Sequence, residues 1–466
     1  MRNPILAPGP RAVAALAMLA ASYVACGPVR IDDGSEFDVL IFVLDACRPD
    51  RMGAYGYSLP TTPAIDSLAA DPDAVIFDRH YVEGNWTKPS TASLFSGLYQ
   101  HQHGVTKGHA KVGQDVFETQ VLNDELVTLA EEFRDAGYAT FGVVKSHHLV
   151  PAYGFAQGFD HYSGPGDVKG DAGRVAKVAE VIANLDRGYF GYVHLNACHH
   201  PFPRNERDPE FMARHGFEYD EAARAAVGVD FTTQEILDAI RNDRLELTAA
   251  DRRYLSLIYD ASLRRVDRRT VAPMLEGLRR SGRWDRTLLI LTADHGEELV
   301  EHGGYAHSHA LWDEIIRVPM IVKFPKGLRP QALPDRVDAP TSNVDVFPTL
   351  MEFLGRPVPR GLAGRPIFRA PEGGFILSQD NKRTWAVVLG HEKLLVDRDG
   401  RKRLFDLDAD PGETVDVADE RPARVAALTA IGESARSLDP VALAPEIQTE
   451  LSPEAIESLR SLGYLD

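Results

Sequence analysis

Two carboxylates and an imidazole stand at the ends of strand-like apolar runs. Asp45 closes the run 38-DVLIFVLD-45, and Asp294 closes 287-TLLILTAD-294 with His295 directly after it. Ligands of an open α/β sheet bind beyond the carboxyl ends of the strands, so these three side chains could converge on one divalent cation. Taken singly, each aspartate could instead cap the helix or loop that follows it.

A hydroxyl group precedes a helix-like segment in 86-WTKPSTASLFSG-97. Pro89 fits the first turn of a helix, because the N–H that it lacks would have no partner there. The free N–H groups at such a helix start attract an anionic group, and Thr87 would lie beside that group as a nucleophile. The alternative is that Thr87 is only the N-cap of a helix over 89–97.

Basic side chains recur near the ends of the strand-like runs. Lysine and protonated imidazole stabilise negative charge on a transferring phosphoryl or sulfuryl group, and imidazole can protonate a leaving alkoxide. Any one of these histidines could instead lie on the surface without a catalytic role. The group comprises Lys145, His147, His148, His199, His200, His307 and His309.

The positions of these residues depend on an alternation of strands and helices. Continuous apolar runs also occur at 139-ATFGVVK-145, 189-YFGYVHLN-196 and 317-RVPMIVKF-324, which is typical of strands buried on both faces. Helical patterns lie between them, as in 123–137, where Asn123 could cap the start and a glycine the end. The sequence predicts an α/β fold with a mixed, mainly parallel sheet sandwiched by helices.

Two regions depart from this alternation. Residues 201–250 are rich in charge and proline, which indicates an insertion with short helices over one end of the sheet. After about residue 370, short alternating strands in 376–397 predict a small C-terminal antiparallel subdomain.

Composition excludes some classes of function. The 466 residues include 51 Lys+Arg against 68 Asp+Glu, a formal net charge of −17, which disfavours nucleic acid and anionic membrane surfaces as partners. An apolar content of 44% is ample for a large core. Cys47 and Cys198 stand in apolar surroundings, which favours buried thiols over a disulfide.

The first 25 residues have the pattern of an export signal. Arg2 and Arg11 precede an apolar run over 12–25 that is too short to span a bilayer. Small and apolar residues before Cys26 are typical of a bacterial lipoprotein, so we expect residues 1–25 to be removed and Cys26 to be lipidated. Ordinary secretion and an uncleaved anchor are the alternatives. We therefore expect an exported, periplasmic or cell-surface protein that contacts a membrane only through this anchor.

Several longer stretches resemble the ordered motifs of one family. They are 45-DACRPDRMGAYGYSLPTTPAIDSLA-69, 89-PSTASLFSGLYQHQHG-104, 293-ADHGEELVEHGG-304 and 307-HSHALWDEIIRVPMIVKFP-325. Together they resemble the sulfatase family of the alkaline phosphatase superfamily. The resemblance implies the alkaline-phosphatase/sulfatase-like fold, with a catalytic domain over 36–370 and a C-terminal subdomain over 371–466.

The resemblance also implies a metal site. It makes Asp45, Asp294 and His295 ligands of one divalent cation, and it makes Thr87 both a ligand and the nucleophile. Ala46 replaces the usual second aspartate, and many sulfatases have Asn where His295 stands. An imidazole in place of a carboxylate favours Mn²⁺ or Zn²⁺, with Ca²⁺ as the alternative. Aspartate and histidine with a threonine oxygen are similar to the site of lipoteichoic acid synthases and phosphoethanolamine transferases.

The remaining catalytic roles follow from the same resemblance. Lys145 and one of His147 and His148, taken here as His148, are expected to contact the oxyanion. His199 is expected to bind the same group or the leaving oxygen, and His309 to lie nearby.

The sequence thus predicts a metal-dependent hydrolase that cleaves phosphoesters or sulfoesters through a covalent Thr87 intermediate. Sulfatases convert Cys or Ser to formylglycine, but oxidation of threonine would give a ketone, and Thr91 replaces the arginine that supports the modified residue. A plain threonine ester must be cleaved by water at the transferred atom, which favours a phosphoester.

Other functions remain open at this stage. The first is arylsulfatase-like hydrolysis of sulfate esters. A phospho-alcohol transferase is a second, although the family's transferases carry several membrane helices, for which the sequence shows no candidates. An inactive binding lipoprotein is a third. The expected substrate is a small-molecule, glycan-linked or lipid-linked ester.

Overall fold

The computed structural model describes residues 37–113, 116–196, 198–242, 244–368, 374–380, 383–442, 444–461 and 465. The predicted signal segment 1–25 and Cys26 lie outside the described residues. Among the helices in the described ranges, none combines the length and the apolar character that crossing a bilayer requires.

Strands and helices alternate through most of the described chain. The strands β1 to β18 are Asp38–Asp45, Ala74–Tyr81, Ala110–Lys111, Val116–Gln120, Ala139–Val144, His161–Ser163, Tyr189–Asn196, Thr287–Thr292, Glu298–Leu299, Tyr305–Ala306, Arg317–Lys323, Arg336–Val337, Thr341–Ser342, Phe375–Gln379, Trp385–Leu389, Glu392–Val396, Lys402–Asp406 and Glu446–Glu450. The helices α1 to α14 are Pro63–Ala69, Thr87–Ser96, Gln100–His103, Leu129–Asp135, Gly170–Ala183, Pro209–His215, Glu221–Ala225, Glu235–Arg241, Ala249–Val266, Ala272–Arg280, Asp313–Ile316, Val346–Phe353, Pro422–Arg436 and Pro453–Ser461.

The central sheet is mixed and mainly parallel. Its described strands have the order β12-β2-β11-β8-β1-β7-β5-β6, and β13 also pairs with β2. β1 is parallel to β7 and β8, and β5 and β6 run in the same direction. β11 is antiparallel to both of its neighbours, β8 and β2. The predicted fold class is confirmed.

Burial on both faces explains why β1 is continuously apolar. Leu40, Phe42 and Leu44 belong to one core, with residues of α1, α5, α9 and α10, while the alternate positions Val39 and Ile41 belong to a second core with residues of α2, α4 and α12. Successive side chains of a strand point to opposite faces, so a sheet sandwiched by helices requires apolar residues at every position.

One helix start was predicted wrongly. The structure begins α4 at Leu129, with Thr128 as its N-cap, and not at Asn123. Thr128 Oγ1 accepts a hydrogen bond from the Glu131 N–H (3.3 Å), and Glu131 Oε2 accepts one from the Thr128 N–H (2.9 Å). This reciprocal capping box satisfies free N–H groups of the helix start, whereas the Asn123 side chain accepts from the N–H of Glu125 (2.9 Å) in a turn ahead of the helix.

The regions outside the alternation have the predicted kind of structure. The short helices α6, α7 and α8 lie within 201–250, and β14 to β17 form an antiparallel sheet with α13 packed against it. β18 returns to pair with β4. Cys47 and Cys198 are buried free thiols whose sulfur atoms are 3.4 Å apart, as expected from their apolar surroundings.

Candidate active site

The candidate site lies where the parallel strands β8, β1 and β7 end together. Asp45 is the last residue of β1 and pairs in register with Asn196 of β7. Asp294 and His295 follow the end of β8, and both are buried. The chain turns directly after Asp45, because Ala46 adopts a left-handed conformation with φ of 59°. Neighbouring parallel strands thus bring together residues that are distant in the sequence.

Four buried side chains meet at this edge. His295 Nε2 lies 3.2 Å from Asp45 Oδ1 and 3.8 Å from Asp294 Oδ2. His194 lies in β7, and its Nε2 is 3.0 Å from Asp294 Oδ2. Ligand atoms of Asp45, His194 and Asp294 all lie within 4.8 Å of one another, which makes them a candidate metal-binding group.

Opposite charges stabilise this cluster. Burial alone would lower the pKa of His295, but the carboxylates of Asp294 and Asp45 raise it to about 10. Burial alone would raise the pKa of Asp294, but the charges on His295 and His194 and a hydrogen bond from Thr87 hold it well below its usual range. The carboxylates therefore attract positive charge, and a divalent cation can take the place of the proton.

The donor set fits a divalent cation. Asp45 Oδ1 is buried, and its nearest polar partner among the described residues is His295 Nε2 at 3.2 Å, which is not aligned for a hydrogen bond. A carboxylate oxygen in this state is unfavourable in the protein interior unless positive charge meets it. Carboxylate, imidazole and hydroxyl groups together are ligands that Mn²⁺ and Zn²⁺ accept.

Thr87 is the first residue of α2 and lies against this cluster. Its Oγ1 is 3.4 Å from His295 Nε2, and its hydroxyl donates a hydrogen bond to the Asp294 carboxylate. The residue before it, Trp86, is the N-cap, so the structure does not support the alternative that Thr87 is the cap. Pro89 lies in the first turn, as predicted.

The predicted basic residues have different surroundings. The ring of His199 lies beside that of His307, with centroids 4.6 Å apart, and 6.2 Å from the ring of His295. Lys145 Nζ lies 3.7 Å from Asp171 Oδ1, and His309 Nε2 lies 2.7 Å from Glu298 Oε2. The structure thus places His199 next to the cluster, whereas Lys145 and His309 each have a carboxylate partner.

His148 lies in an aromatic pocket beside the start of α2. Its ring centroid is 5.4 Å from those of Trp86 and His109. Burial holds the pKa of His148 well below its ordinary value, and the positive charges of His109 and Lys88 add to this effect. At neutral pH the imidazole is therefore neutral.

Sequence reasoning missed two buried groups of the site. His194 lies inside the apolar run of β7, and a single histidine among apolar strand residues was the feature of the sequence that could have indicated it. Lys88 follows Thr87, is fully buried, donates to Thr119 Oγ1 (2.6 Å) and lies 4.7 Å from the ring of Tyr153. Burial lowers the pKa of Lys88 to about 7.

Comparison with known proteins identifies the class of enzyme. The sequence model described as "Sulfatase" matches residues 38–356, which include the whole of the candidate site. The chain belongs to the sulfatase family, and it is an ester-hydrolysing enzyme.

Relatives match along most of their length. The chain is 23% identical over 441 residues to the uncharacterized sulfatase YidJ of Escherichia coli strain K12, covering 82% of this chain and 83% of the relative. It is also 23% identical over 430 residues to an N-acetylglucosamine-6-O-sulfatase of Bacteroides thetaiotaomicron, covering 75% and 73%. The phosphonate monoester hydrolase of Agrobacterium radiobacter has the same fold, with a TM-score of 0.67 at 20% identity over 86% of this chain and 96% of that one.

Proposed function

We propose that this protein is a metal-dependent hydrolase that cleaves phosphoester bonds through a covalent ester on Thr87. The observation that carries the proposal is the position of the Thr87 hydroxyl, at the start of α2 and beside His295 and the buried carboxylate of Asp294. A nucleophilic hydroxyl needs a hydrogen-bond acceptor that orients it and positive charge nearby, and this site offers both.

The cation would be held by Asp45, Asp294 and His295, with Thr87 as a further ligand. Their oxygen and nitrogen donors favour Mn²⁺ or Zn²⁺, with Ca²⁺ as the alternative. When bound, the cation acts as a Lewis acid that neutralises charge on the transferred group. His194 would orient Asp294, in the way that outer hydrogen bonds orient metal ligands.

Each step of the proposed reaction has an acceptor and a donor. Thr87 Oγ1 forms a bond to phosphorus, the bond to the alcohol oxygen breaks, and the hydroxyl proton passes to water, because the low pKa of Asp294 makes that carboxylate a hydrogen-bond acceptor rather than a base. An imidazole of the site gives a proton to the departing alkoxide. Water then attacks phosphorus, and Thr87 Oγ1 leaves and recovers a proton. The products are the alcohol and the phosphate group, and the site returns to its starting state.

The other predicted catalytic residues keep proposed roles in this scheme. We assign His199 to the oxyanion or the leaving oxygen, since its ring borders the cluster. Lys145, His148 and His309 would stabilise charge on the transferred group. Contact with that group would require Lys145 and His309 to leave Asp171 and Glu298 or to share them.

Sulfate ester hydrolysis is the second candidate function. Family membership and the names of the relatives favour it, while the threonine at the nucleophile position favours the phosphoester, because threonine cannot become the aldehyde from which a covalent sulfate departs. The fold by itself does not separate the two substrates, since one fold can carry several chemistries.

Rate comparison tests both candidates. The protein loaded with Mn²⁺ or Zn²⁺ is assayed for kcat/KM on matched aryl phosphodiester, phosphomonoester and sulfate esters. We expect a phosphoester preference, with a loss of roughly 10³-fold or more in Thr87→Ala and a smaller loss in the control Thr87→Ser, which keeps a hydroxyl. A sulfate preference that Thr87→Ala abolishes would overturn the substrate and support the nucleophile. Unchanged turnover in Thr87→Ala would remove the nucleophile.

Export is proposed on the sequence alone. The signal pattern of residues 1–25 and the cysteine at position 26 support an exported protein with a lipid anchor. Mass spectrometry of the mature N-terminus decides this, and a chain that keeps Met1 and remains in the cytoplasm would contradict it.

A further inference from the structure

We propose that His199, His200 and His307 form a second divalent-cation site, of the zinc class, beside the first. The catalytic role of this second ion rests on the proposed function, but the binding of the ion does not and can be measured separately. One ligand nitrogen from each of the three imidazoles lies within 4.8 Å of the others. All three side chains are buried, with 8%, 2% and 2% of their surfaces exposed.

The local fold holds the three imidazoles in place. His199 and His200 lie in the loop that follows β7, and His307 directly follows β10. On either side of His307, Ala306 and Ser308 adopt left-handed conformations with φ of 70° and 66°. Left-handed backbone at two non-glycine residues is unfavourable, and it persists at positions where the surrounding structure determines a side chain's direction.

The buried carboxylate of Glu297 contacts two of the three histidines. Glu297 Oε1 lies 2.9 Å from His307 Nδ1, and Glu297 Oε2 accepts a hydrogen bond from the His200 backbone N–H (3.0 Å). A proton on Nδ1 of His307 leaves the lone pair of the neutral ring on Nε2. Carboxylates commonly fix metal-binding histidines in this way, so Glu297 has the position of an outer partner to a metal ligand.

His200 supplies an independent indication of a missing ligand. Both of its ring nitrogens are buried; Nδ1 lies 3.5 Å from Glu297 Oε1, whereas Nε2 makes no hydrogen bond with the described residues. An imidazole is seldom buried without a partner, because its nitrogens lose their hydrogen bonds to water. A cation bound at this nitrogen would satisfy it.

The donor set indicates the class of cation. Three imidazoles with an open fourth position are a common arrangement for catalytic zinc, and imidazole nitrogen is a poor match for Mg²⁺ or Ca²⁺. Two nitrogens bound to one tetrahedral zinc are about 3.4 Å apart, since each bond is about 2.1 Å. The three imidazole nitrogens, which lie within 4.8 Å of one another, would have to draw closer to bind one ion.

The second site would act on the same reacting group as the first. The ring of His307 lies 4.2 Å from that of His295, centroid to centroid, so ions at the two sites would be neighbours. Paired cations can stabilise both the attacking and the leaving oxygen of a displacement at phosphorus. In this arrangement His199 would hold the second cation, which would supply the positive charge that the direct contact of His199 with the oxyanion or leaving oxygen would otherwise supply.

Metal stoichiometry tests the proposal without an activity assay. The full-length protein is stripped with a chelator, loaded with excess Zn²⁺, desalted and measured by elemental analysis. We expect about two zinc ions per chain in wild type, about one in His200→Ala, and about two in the control His161→Ala, which removes an exposed histidine outside the cluster. Asp294→Ala should also retain about one, so the two sites can be emptied separately.

A second set of measurements tests the proposal if His200→Ala does not fold. Glu297→Gln keeps the shape of the orienting side chain, and we expect it to weaken only one of the two zinc ions, by about 10- to 100-fold in competition with a chelator. Zinc X-ray absorption of Asp294→Ala should show about three imidazole ligands. One zinc ion in wild type that is unchanged in His200→Ala would overturn the second site and leave the Thr87 mechanism untouched. Loss of activity in Thr87→Ala, with or without the second ion, bears only on the proposed function.

Discussion

Glu83 is a buried carboxyl group in the segment that leads to the proposed nucleophile. Its side chain is 1% exposed, and Oε1 accepts a hydrogen bond from the Val344 N–H at 3.1 Å. Its backbone carbonyl accepts from Gln100 Nε2 (2.6 Å) and from the Gln379 N–H (2.8 Å), so this residue connects the segment to two other parts of the fold. Burial raises the pKa of Glu83 to about 8 from an ordinary value of 4.5, although the bond from Val344 opposes the change.

The raised pKa makes the free energy of unfolding depend on pH. Between pH 4.5 and about 8, the folded protein keeps a proton on Glu83 that the unfolded chain has lost, so the unfolding free energy decreases as the pH rises through this window. Each pKa unit corresponds to about 1.4 kcal/mol, and the total loss above pH 8 is roughly 4 to 5 kcal/mol. Below pH 4.5 both states carry the proton and the loss is absent.

Glu83→Gln removes this dependence and keeps the acceptor for Val344. We expect the variant to exceed wild type in unfolding free energy by less than about 1 kcal/mol at pH 5, by roughly 3 kcal/mol at pH 7 and by roughly 4 to 5 kcal/mol at pH 9. Urea unfolding of both proteins at the three pH values, at one fixed metal concentration, measures these differences.

A matched control isolates the effect of burial. Glu125→Gln removes the same charge from an exposed position and should change the unfolding free energy by less than about 0.5 kcal/mol at every pH. The reasoning is refuted if Glu83→Gln gives a difference that is independent of pH, or one that decreases from pH 5 to pH 9.

Three further predictions concern the first metal site and the C-terminal sheet. Asp294→Ala should lose the cation of the first site together with activity, and full metal content by elemental analysis would contradict the ligand assignment. His194→Asn should weaken cation binding at that site about 10- to 100-fold in competition with a chelator, because Asp294 loses its orienting hydrogen bond; an unchanged affinity would exclude this role. Gly432→Ala places a Cβ atom 2.1 Å from a ring carbon of Trp385 and should lower the unfolding free energy by about 1–3 kcal/mol. The control Gly277→Ala lies in α10, where the new Cβ atom meets no atom within 4 Å, and it should raise the unfolding free energy by about 0.5–1 kcal/mol. Urea unfolding separates the last two, and effects of the same sign would refute the packing argument.

The sheet and the convergence of the candidate metal ligands were accessible to sequence reasoning. Continuous apolar runs indicate strands buried on both faces, and the structure places Asp45 at the end of β1 and Asp294 and His295 just past β8. Convergence of these residues follows from the parallel direction of the strands, because their carboxyl ends share one edge. The residue types also indicated the proposed chemistry, since carboxylates and imidazoles are ligand types that suit divalent cations.

Local hydrogen bonding decided details that periodicity could not. The helix-like pattern of 123–137 begins before the true start of α4, because turn residues and helix residues can have the same polarity. The start of the helix is identified by the hydrogen bonds between Thr128 and Glu131, and these are visible only in the structure.

The sequence by itself determined the fold class, the direction of the main strands and the groups able to perform chemistry. Only the tertiary structure decided which of those groups are neighbours. His194 meets Asp294 across two strand boundaries, and Glu297 contacts both His307, which follows β10, and His200, which follows β7. Periodicity reports which face of an element is buried, but it contains no information about the order of strands in a sheet, which is set by packing among distant segments.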